Sequence, residues 1–313
     1  MTSNKIAIID MGTNTFHLLI ARQVEGKVET FLKEKVSVKI GQNGISRGVI
    51  SPEAFSRAVQ ALKHFTCLII EQDVHDVRAT ATSAVRNAAN GNELVAEIKK
   101  QTGIDVLVIS GEKEAELIYY GVKSALNIGP QTSIIMDIGG GSVEFIICNE
   151  AGIFWKGSFE IGAQRLIDEF QKTDPISQED TQNLKNYLDE KLYSLFEAAR
   201  KFVPEVLIGS SGSFDTFCDV DLHSKGITSS IEEQKEYTLT IESFNEIHET
   251  VYSKGREERM LIPGMIEMRV DMIVVASILT SYVLEKLKLR KIRVSTYALK
   301  EGVLSKVVNG EEI

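Results

Sequence analysis

A stretch near the start of the chain recurs near its middle. Residues 6–20, IAIIDMGTNTFHLLI, lie over residues 133–147, SIIMDIGGGSVEFII. In this alignment Asp10 meets Asp137, Gly12 meets Gly139 and Thr15 meets Ser142. Each copy reads as an apolar strand, an aspartate, a turn rich in glycine or hydroxyls, and a second strand. A lone hairpin of this kind would say little, because small residues merely permit tight turns. Two copies near a half-length offset imply two related domains, and a plain-hairpin reading leaves the carboxylate at the end of each strand unexplained.

The rest of the chain supports α/β architecture, because strand-like and helix-like segments alternate throughout. Lys5–Ile9, Phe16–Gln23 and Lys27–Ser37 read as strands. Ser51-Pro52-Glu53 opens a helix with a capping hydroxyl, a proline at the first position and an acid at the positive end. Its apolar stripe is Phe55, Val59, Leu62 and Phe65. Further helices are expected over Gln178–Phe202 and Arg269–Leu287. Asn127-Ile128-Gly129-Pro130 is the strongest punctuation. We place a domain boundary there, between domains 1–127 and 128–297, with a last helix near 298–313.

Composition excludes several classes. With 43% hydrophobic and 25% charged residues the chain is neither disordered nor fibrous. No apolar run approaches the ~18 residues of a membrane span, and the N-terminal apolar stretch, broken by Asp10 and Asn14, is no signal peptide. Cys67, Cys148 and Cys218 have no metal-like spacing and cannot all pair, which points to a reduced, cytoplasmic compartment. The net charge of −9 argues against duplex nucleic acid.

The two turns suit a phosphate chain. Asp10-Met11-Gly12-Thr13-Asn14-Thr15 and Asp137-Ile138-Gly139-Gly140-Gly141-Ser142 offer close backbone N–H groups and small hydroxyls. Asp10 and Asp137 are placed to hold Mg²⁺ or Mn²⁺, in part through water. Glu144, on the following strand, points back toward the same space and serves the metal or its water. A third turn, Gly209-Ser210-Ser211-Gly212-Ser213, joins a strand to a helix N-terminus. It reads either as a further anion site or as an ordinary βα connection. Neither a Walker A loop nor a GxGxxG fingerprint occurs.

Ser110-Gly111-Glu112-Lys113-Glu114-Ala115-Glu116 starts a helix. Acids in a first turn complement the helix dipole, but Glu112 and Glu116 share one helical face and Glu114 lies on another, so Glu114, just before the domain boundary, reads either as a further dipole complement or as a catalytic carboxylate looking into a cleft. Arg86, after a small-residue strand, reads as a phosphate clamp or as a solvated arginine. His75-Asp76 has nothing to complete a metal set and is rejected as a site. His17, His64, His223 and His248 read as structural or surface residues, and Trp155 as core.

Together these stretches resemble the exopolyphosphatase / guanosine pentaphosphate phosphohydrolase family, within the wider actin-like ATPase, sugar kinase and chaperone fold. The likeness runs nearly end to end through ATATSAVRNAAN, VISGEKEAELIYYGV, IIMDIGGGSVEF, IGAQRL, LIGSSGSFDTF, MRVDMIVVASIL and STYALKEGVL. It implies two actin-like, ribonuclease H-like domains facing across an interdomain cleft that closes over substrate. It implies Glu114 as the base that activates water, Asp137 and Glu144 as metal-associated acids, Asp10 as the acid of the first loop and Arg86 as a phosphate ligand. The substrate is then inorganic polyphosphate or guanosine pentaphosphate. Lys113, Lys300 and Ser211 depart from the common residues at their positions, and Ser211 is expected to be tolerated. Arg86, Arg47, Lys33, Lys35, Arg165 and Lys300 are the cations available to line a substrate path. The reading admits a homodimer. It also leaves room for a kinase of the same fold, told apart by turnover without an acceptor, or a non-catalytic sensor, told apart by binding without phosphate release. Longer relatives append a helical domain, and the chain's end at Ile313 with its negative charge leads to an expectation of low processivity on long polyphosphate.

Overall fold

The repeat is realised in the topology of two sheets. A computed structural model describes residues 5–25, 27–42 and 44–313. Contacts divide the chain into unit 1, residues 1–114 with 303–313, and unit 2, residues 115–302. Unit 1 holds β1 (Lys5–Met11), β2 (Thr15–Val24), β3 (Lys27–Ser37), α1 (Pro52–Glu71), β4 (Asp76–Ala81), α2 (Ser83–Arg86), α3 (Gly91–Thr102) and β5 (Val106–Val108). The helix α4 (Gly111–Ala125) starts in unit 1 and ends in unit 2. Unit 2 continues with β6 (Ser133–Ile138), β7 (Val143–Asn149), β8 (Gly152–Phe159), α5 (Ala163–Phe170), α6 (Gln178–Lys191), α7 (Tyr193–Phe202) and β9 (Val206–Ser210). It closes with α8 (Gly212–Ser224), β10 (Glu236–Leu239), α9 (Ile241–Ser253), α10 (Arg256–Met260), α11 (Met272–Leu287) and β11 (Ile292–Ser295). The last helix, α12 (Leu299–Val308), runs from unit 2 back into unit 1.

Strand order in unit 1 is β3-β2-β1-β4-β5, and in unit 2 it is β8-β7-β6-β9-β11, extended by β10. In both, the first three strands form an antiparallel meander and the next two run parallel to its first strand. The expected α/β class is therefore present, with one mixed-sheet topology built twice, once in each unit.

Burial follows from this arrangement. The central β6 is buried at all six positions, as a strand covered on both faces must be. Edge strand β3 is exposed or half-buried throughout and carries Lys27, Glu29, Lys33, Glu34 and Lys35, charges that discourage edge pairing. α1 starts where its cap signals place it, with Ser51 Oγ accepting from Ala54 N–H. Leu62 and Phe65 of its stripe are buried, and Phe55 and Val59 pack beside them.

Two expectations shift. The helix anticipated over 178–202 breaks at Leu192 into α6 and α7, yet Leu184, Leu188, Leu192 and Leu195 stay in one buried row. The helix anticipated from Arg269 begins at Met272, which leaves Arg269 in the preceding turn. The short elements α5, β10, α9 and α10 escaped the sequence reading.

α4 and α12 touch backbone to backbone. A Cβ at Gly121 would meet the carbonyl of Ala298, and one at Gly302 would meet the carbonyl of Leu117. No side chain fits on either side of this crossing. Gly121→Ala raises helix propensity by about 1 kcal/mol but forces two backbones apart. We expect a net loss of about 1–3 kcal/mol in urea denaturation, and an unchanged midpoint would show that the helices can separate freely.

Candidate functional site

Both hairpin turns close with the same hydrogen bond. Gly12 N–H donates to Thr15 O at 3.2 Å, and Gly139 N–H donates to Ser142 O at 3.0 Å. These two N–H groups are thus committed to the turns, and what Gly12 and Gly139 add is the absence of a Cβ close to those carbonyls. The donors for an anion come from the residues that follow.

In unit 2 the turn is held from behind. Gly139 O accepts from Ala163 N–H at 2.9 Å, Gly140 O from Gln164 N–H at 2.9 Å, and Gly141 O from Gly162 N–H at 3.2 Å. These donors form the N-terminus of α5. A trans peptide carries its C=O and the next N–H on opposite sides. Carbonyls pinned toward α5 therefore turn the N–H groups of Gly140, Gly141 and Ser142 the other way. Among the described residues none of these three has a backbone acceptor. Three N–H groups in sequence on one side make a concavity for an anion. Gly162 permits the approach, since a Cβ there would overlap the backbone of Gly140 and Gly141. Unit 1 repeats the device with other donors: Thr13 O accepts from Gly41 N–H, and Asn14 O accepts from Val38 and Lys39 N–H at 3.0 and 2.8 Å.

Register gathers the remaining candidates of each unit at one sheet edge. In unit 1, Asp10 pairs with Thr80 across parallel β1 and β4, and Ala81 pairs with Val108 across β4 and β5. The Asp10 turn, the Thr82–Arg86 segment and the start of α4 thus all leave the carboxyl ends of neighbouring strands. Arg86 Nη1 donates to Glu114 Oε2 at 3.0 Å and to Ile109 O at 3.1 Å. Of the three glutamates that open α4, Glu112 is exposed, Glu116 is half-buried and paired with Lys156, and Glu114 is buried. The face argument selected the right one for burial. Arg86 is no solvated arginine; its partner in this structure is the Glu114 carboxylate.

In unit 2, Asp137 pairs with Ser210 and Ser210 with Ser295, so the corresponding edge carries the Asp137 turn, Ser211–Ser213 and the approach to α12. Asp137 and Glu144 are direct cross-strand partners, so their side chains share a sheet face, at 6% and 1% exposure. Ser158 Oγ donates to Glu144 Oε1 at 2.7 Å. Burial pushes the Asp137 pKa up, against hydrogen bonds from Ser210 and Ser211 and the positive charges of Lys300 and Arg269. Two buried carboxylates side by side fit a hard divalent cation, which takes oxygen ligands and keeps waters. Among the described residues no group of three or more His, Cys, Asp or Glu side chains gathers in this way. His75 is exposed and lies 3.4 Å from Asp73, in keeping with its rejection.

Ser211 is held at φ 69°, ψ 176°, a region nearly reserved for glycine. Its Oγ donates to Ile138 O at 3.1 Å, which ties the third turn to the second. Gly209 lacks a Cβ because the Phe214 ring occupies that space. Arg165, listed above among cations for a substrate path, turns instead to the loop backbone, with Nε donating to Gly141 O at 2.9 Å.

Arg269 was missed. Its guanidinium lies against Gly212, where a Cβ would overlap it, and its Nε is buried with no acceptor among the described residues. Burial works against its charge, while Asp215 and Asp137 support it. The one signal in the sequence was an arginine just before the most apolar helix of the chain.

Comparison with known proteins places these features in a family. The model of the Ppx/GppA phosphatase family matches residues 19–311. A solved exopolyphosphatase from Cytophaga hutchinsonii is 46% identical, covering 98% of this chain and 99% of its own, at a TM-score of 0.96. A Ppx/GppA family member from Aquifex aeolicus is 25% identical, covering 99% of both chains, at a TM-score of 0.79. A curated relative from Haemophilus influenzae is 28% identical over 302 residues, 96% of this chain and 90% of the relative.

The Arg269–Gly212 contact is open to test. Gly212→Ala should displace the guanidinium and weaken inorganic phosphate binding about tenfold, or roughly 1.4 kcal/mol. Calorimetric titration reads this directly, and wild-type affinity in the variant would show that Arg269 takes no part in holding phosphate.

Proposed function

Because the chain belongs to the Ppx/GppA phosphatase family, we propose that it hydrolyses the terminal phosphoanhydride of inorganic polyphosphate, of guanosine pentaphosphate, or of both. The observation that carries this reading is the buried Glu114 carboxylate, held by Arg86 on the sheet edge that also bears the Asp10 turn.

Hydrolysis of a phosphoanhydride asks little covalent chemistry of a protein. It needs charge neutralisation on the phosphoryl oxygens and an oriented water. The N–H groups of Gly140, Gly141 and Ser142 supply fixed donors for the oxygens, with no reorganisation during the reaction. Glu114 accepts the proton of the attacking water. Pairing with Arg86 offsets the cost of burying its charge and fixes the direction of its oxygens. A planar guanidinium suits phosphate oxygens by the same chemistry with which it holds the carboxylate. A divalent cation such as Mg²⁺ or Mn²⁺, held by Asp137 and Glu144, would supply Lewis-acid neutralisation of the phosphoryl charge, and Asp10 is the corresponding acid of the unit 1 turn. Ser158 holds the Glu144 carboxylate by a hydrogen bond whether or not a cation is present.

Two outcomes check the assignment. Glu114→Gln keeps size and hydrogen bonding but cannot take a proton. Phosphate release from both substrates should fall roughly 10²–10⁴-fold in kcat while binding persists, and near-normal turnover would dismiss the base. Asp137→Asn should raise the Mg²⁺ concentration needed for half-maximal rate and lower the maximum. An unaltered Mg²⁺ titration would detach Asp137 from the metal.

A further inference from the structure

Arg165 sits behind the second turn in a way no substrate ligand would. Nε donates to Gly141 O at 2.9 Å, and Nη2 donates to Glu160 Oε2 at 3.0 Å. The arginine side chain is 19% exposed. The Gly141 carbonyl already accepts from Gly162 N–H, so it takes two donors, one of them charged. Glu160 lies between β8 and α5 and balances the guanidinium charge. A planar fork serves a carbonyl and a carboxylate at once, which a lysine ammonium does with far less geometric control.

We propose that Arg165 is a positioning residue for the anion loop, acting on bound phosphate through the Gly141–Ser142 peptide and not by contact. A charge-assisted hydrogen bond to Gly141 O draws electron density from that amide and makes Ser142 N–H a stronger donor. It also fixes the peptide plane, so that this N–H stays turned away from α5. The α5 N-terminus does the same for the two preceding peptides by neutral hydrogen bonds. The last peptide, which leads into β7 and Glu144, receives the added charge. This proposal rests on the phosphohydrolase reading above, since it assumes that the loop holds phosphate.

The test uses the full chain and inorganic tripolyphosphate as probe, titrated calorimetrically at several KCl concentrations and one Mg²⁺ concentration. Phosphate release from polyphosphate and thermal melting are followed in parallel. Arg165→Met should weaken tripolyphosphate binding and lower kcat, each about tenfold, with the salt dependence of binding equal to wild type. Arg165→Lys should recover only part of the loss. A direct phosphate ligand behaves differently: its removal lowers the slope of log affinity against log salt by about one. That lower slope overturns the proposal, and so does unchanged binding in Arg165→Met. If Arg165→Met does not fold, Glu160→Gln carries the test. Loosening the guanidinium should weaken binding by about threefold at an unchanged slope, and unchanged binding would again overturn it. A wild-type chain that neither binds tripolyphosphate nor releases phosphate removes the phosphohydrolase reading along with this one. Hydrolysis by wild type and Arg165→Met alike removes this one alone.

Discussion

Everything at the candidate site depends on where a few backbone carbonyls are spent. A glycine-rich turn is soft by itself, and its peptides can face either way. In unit 2, three consecutive carbonyls are claimed by the first N–H groups of α5. That claim satisfies the carbonyls and turns a permissive segment into a directed row of donors, whose N–H groups are left without backbone acceptors among the described residues. The close fit of Gly162 against Gly140 and Gly141 makes the arrangement intolerant of any added atom. Chemical function here starts with peptide orientation, and the charged side chains are arranged around it.

Much of this was legible in the chain. The duplicated strand–Asp–turn–strand segment announced two related sheets, and both appear with one strand order. The helical phase of Glu112, Glu114 and Glu116 separated the buried carboxylate from its more exposed neighbours. What stayed hidden was long-range. Nothing local says that Arg165 reaches Gly141, or that Ser158 reaches Glu144, because each partner is set by strand register and helix placement. Arg269 was obscured by the boundary of α11: read as helix, it would have been one more polar residue at an N-terminus. α5 was invisible for a simpler reason, since eight residues give too little periodicity to detect.

Ser211 shows how a local rule yields to its surroundings. A non-glycine residue at φ 69° costs on the order of 1–3 kcal/mol. Its hydroxyl donates to Ile138 O at 3.1 Å. A glycine would relax the backbone and forfeit that tie. The acid at the start of each crossing helix makes a similar comparison. Glu301 lies six residues past the end of β11 as Glu114 lies six past β5, yet Glu301 accepts from Ala298 N–H and caps its own helix. One carboxylate is spent within its own helix, on the Ala298 N–H and on neighbouring Lys300 at 3.1 Å, while the other is tied to Arg86 from a different element.

The same divergence marks the two hairpins. Cross-strand register puts Glu144 opposite Asp137, and it puts His17 opposite Asp10. The hairpin turn itself depends on neither partner, since it is closed by the same backbone hydrogen bond in both units. The outcome is a molecule symmetrical in backbone and lopsided in charge. The backbone repeat thus fixes where each turn stands and leaves the residue opposite its aspartate free to set the charge: two carboxylates on one sheet face in unit 2, a carboxylate and an imidazole in unit 1.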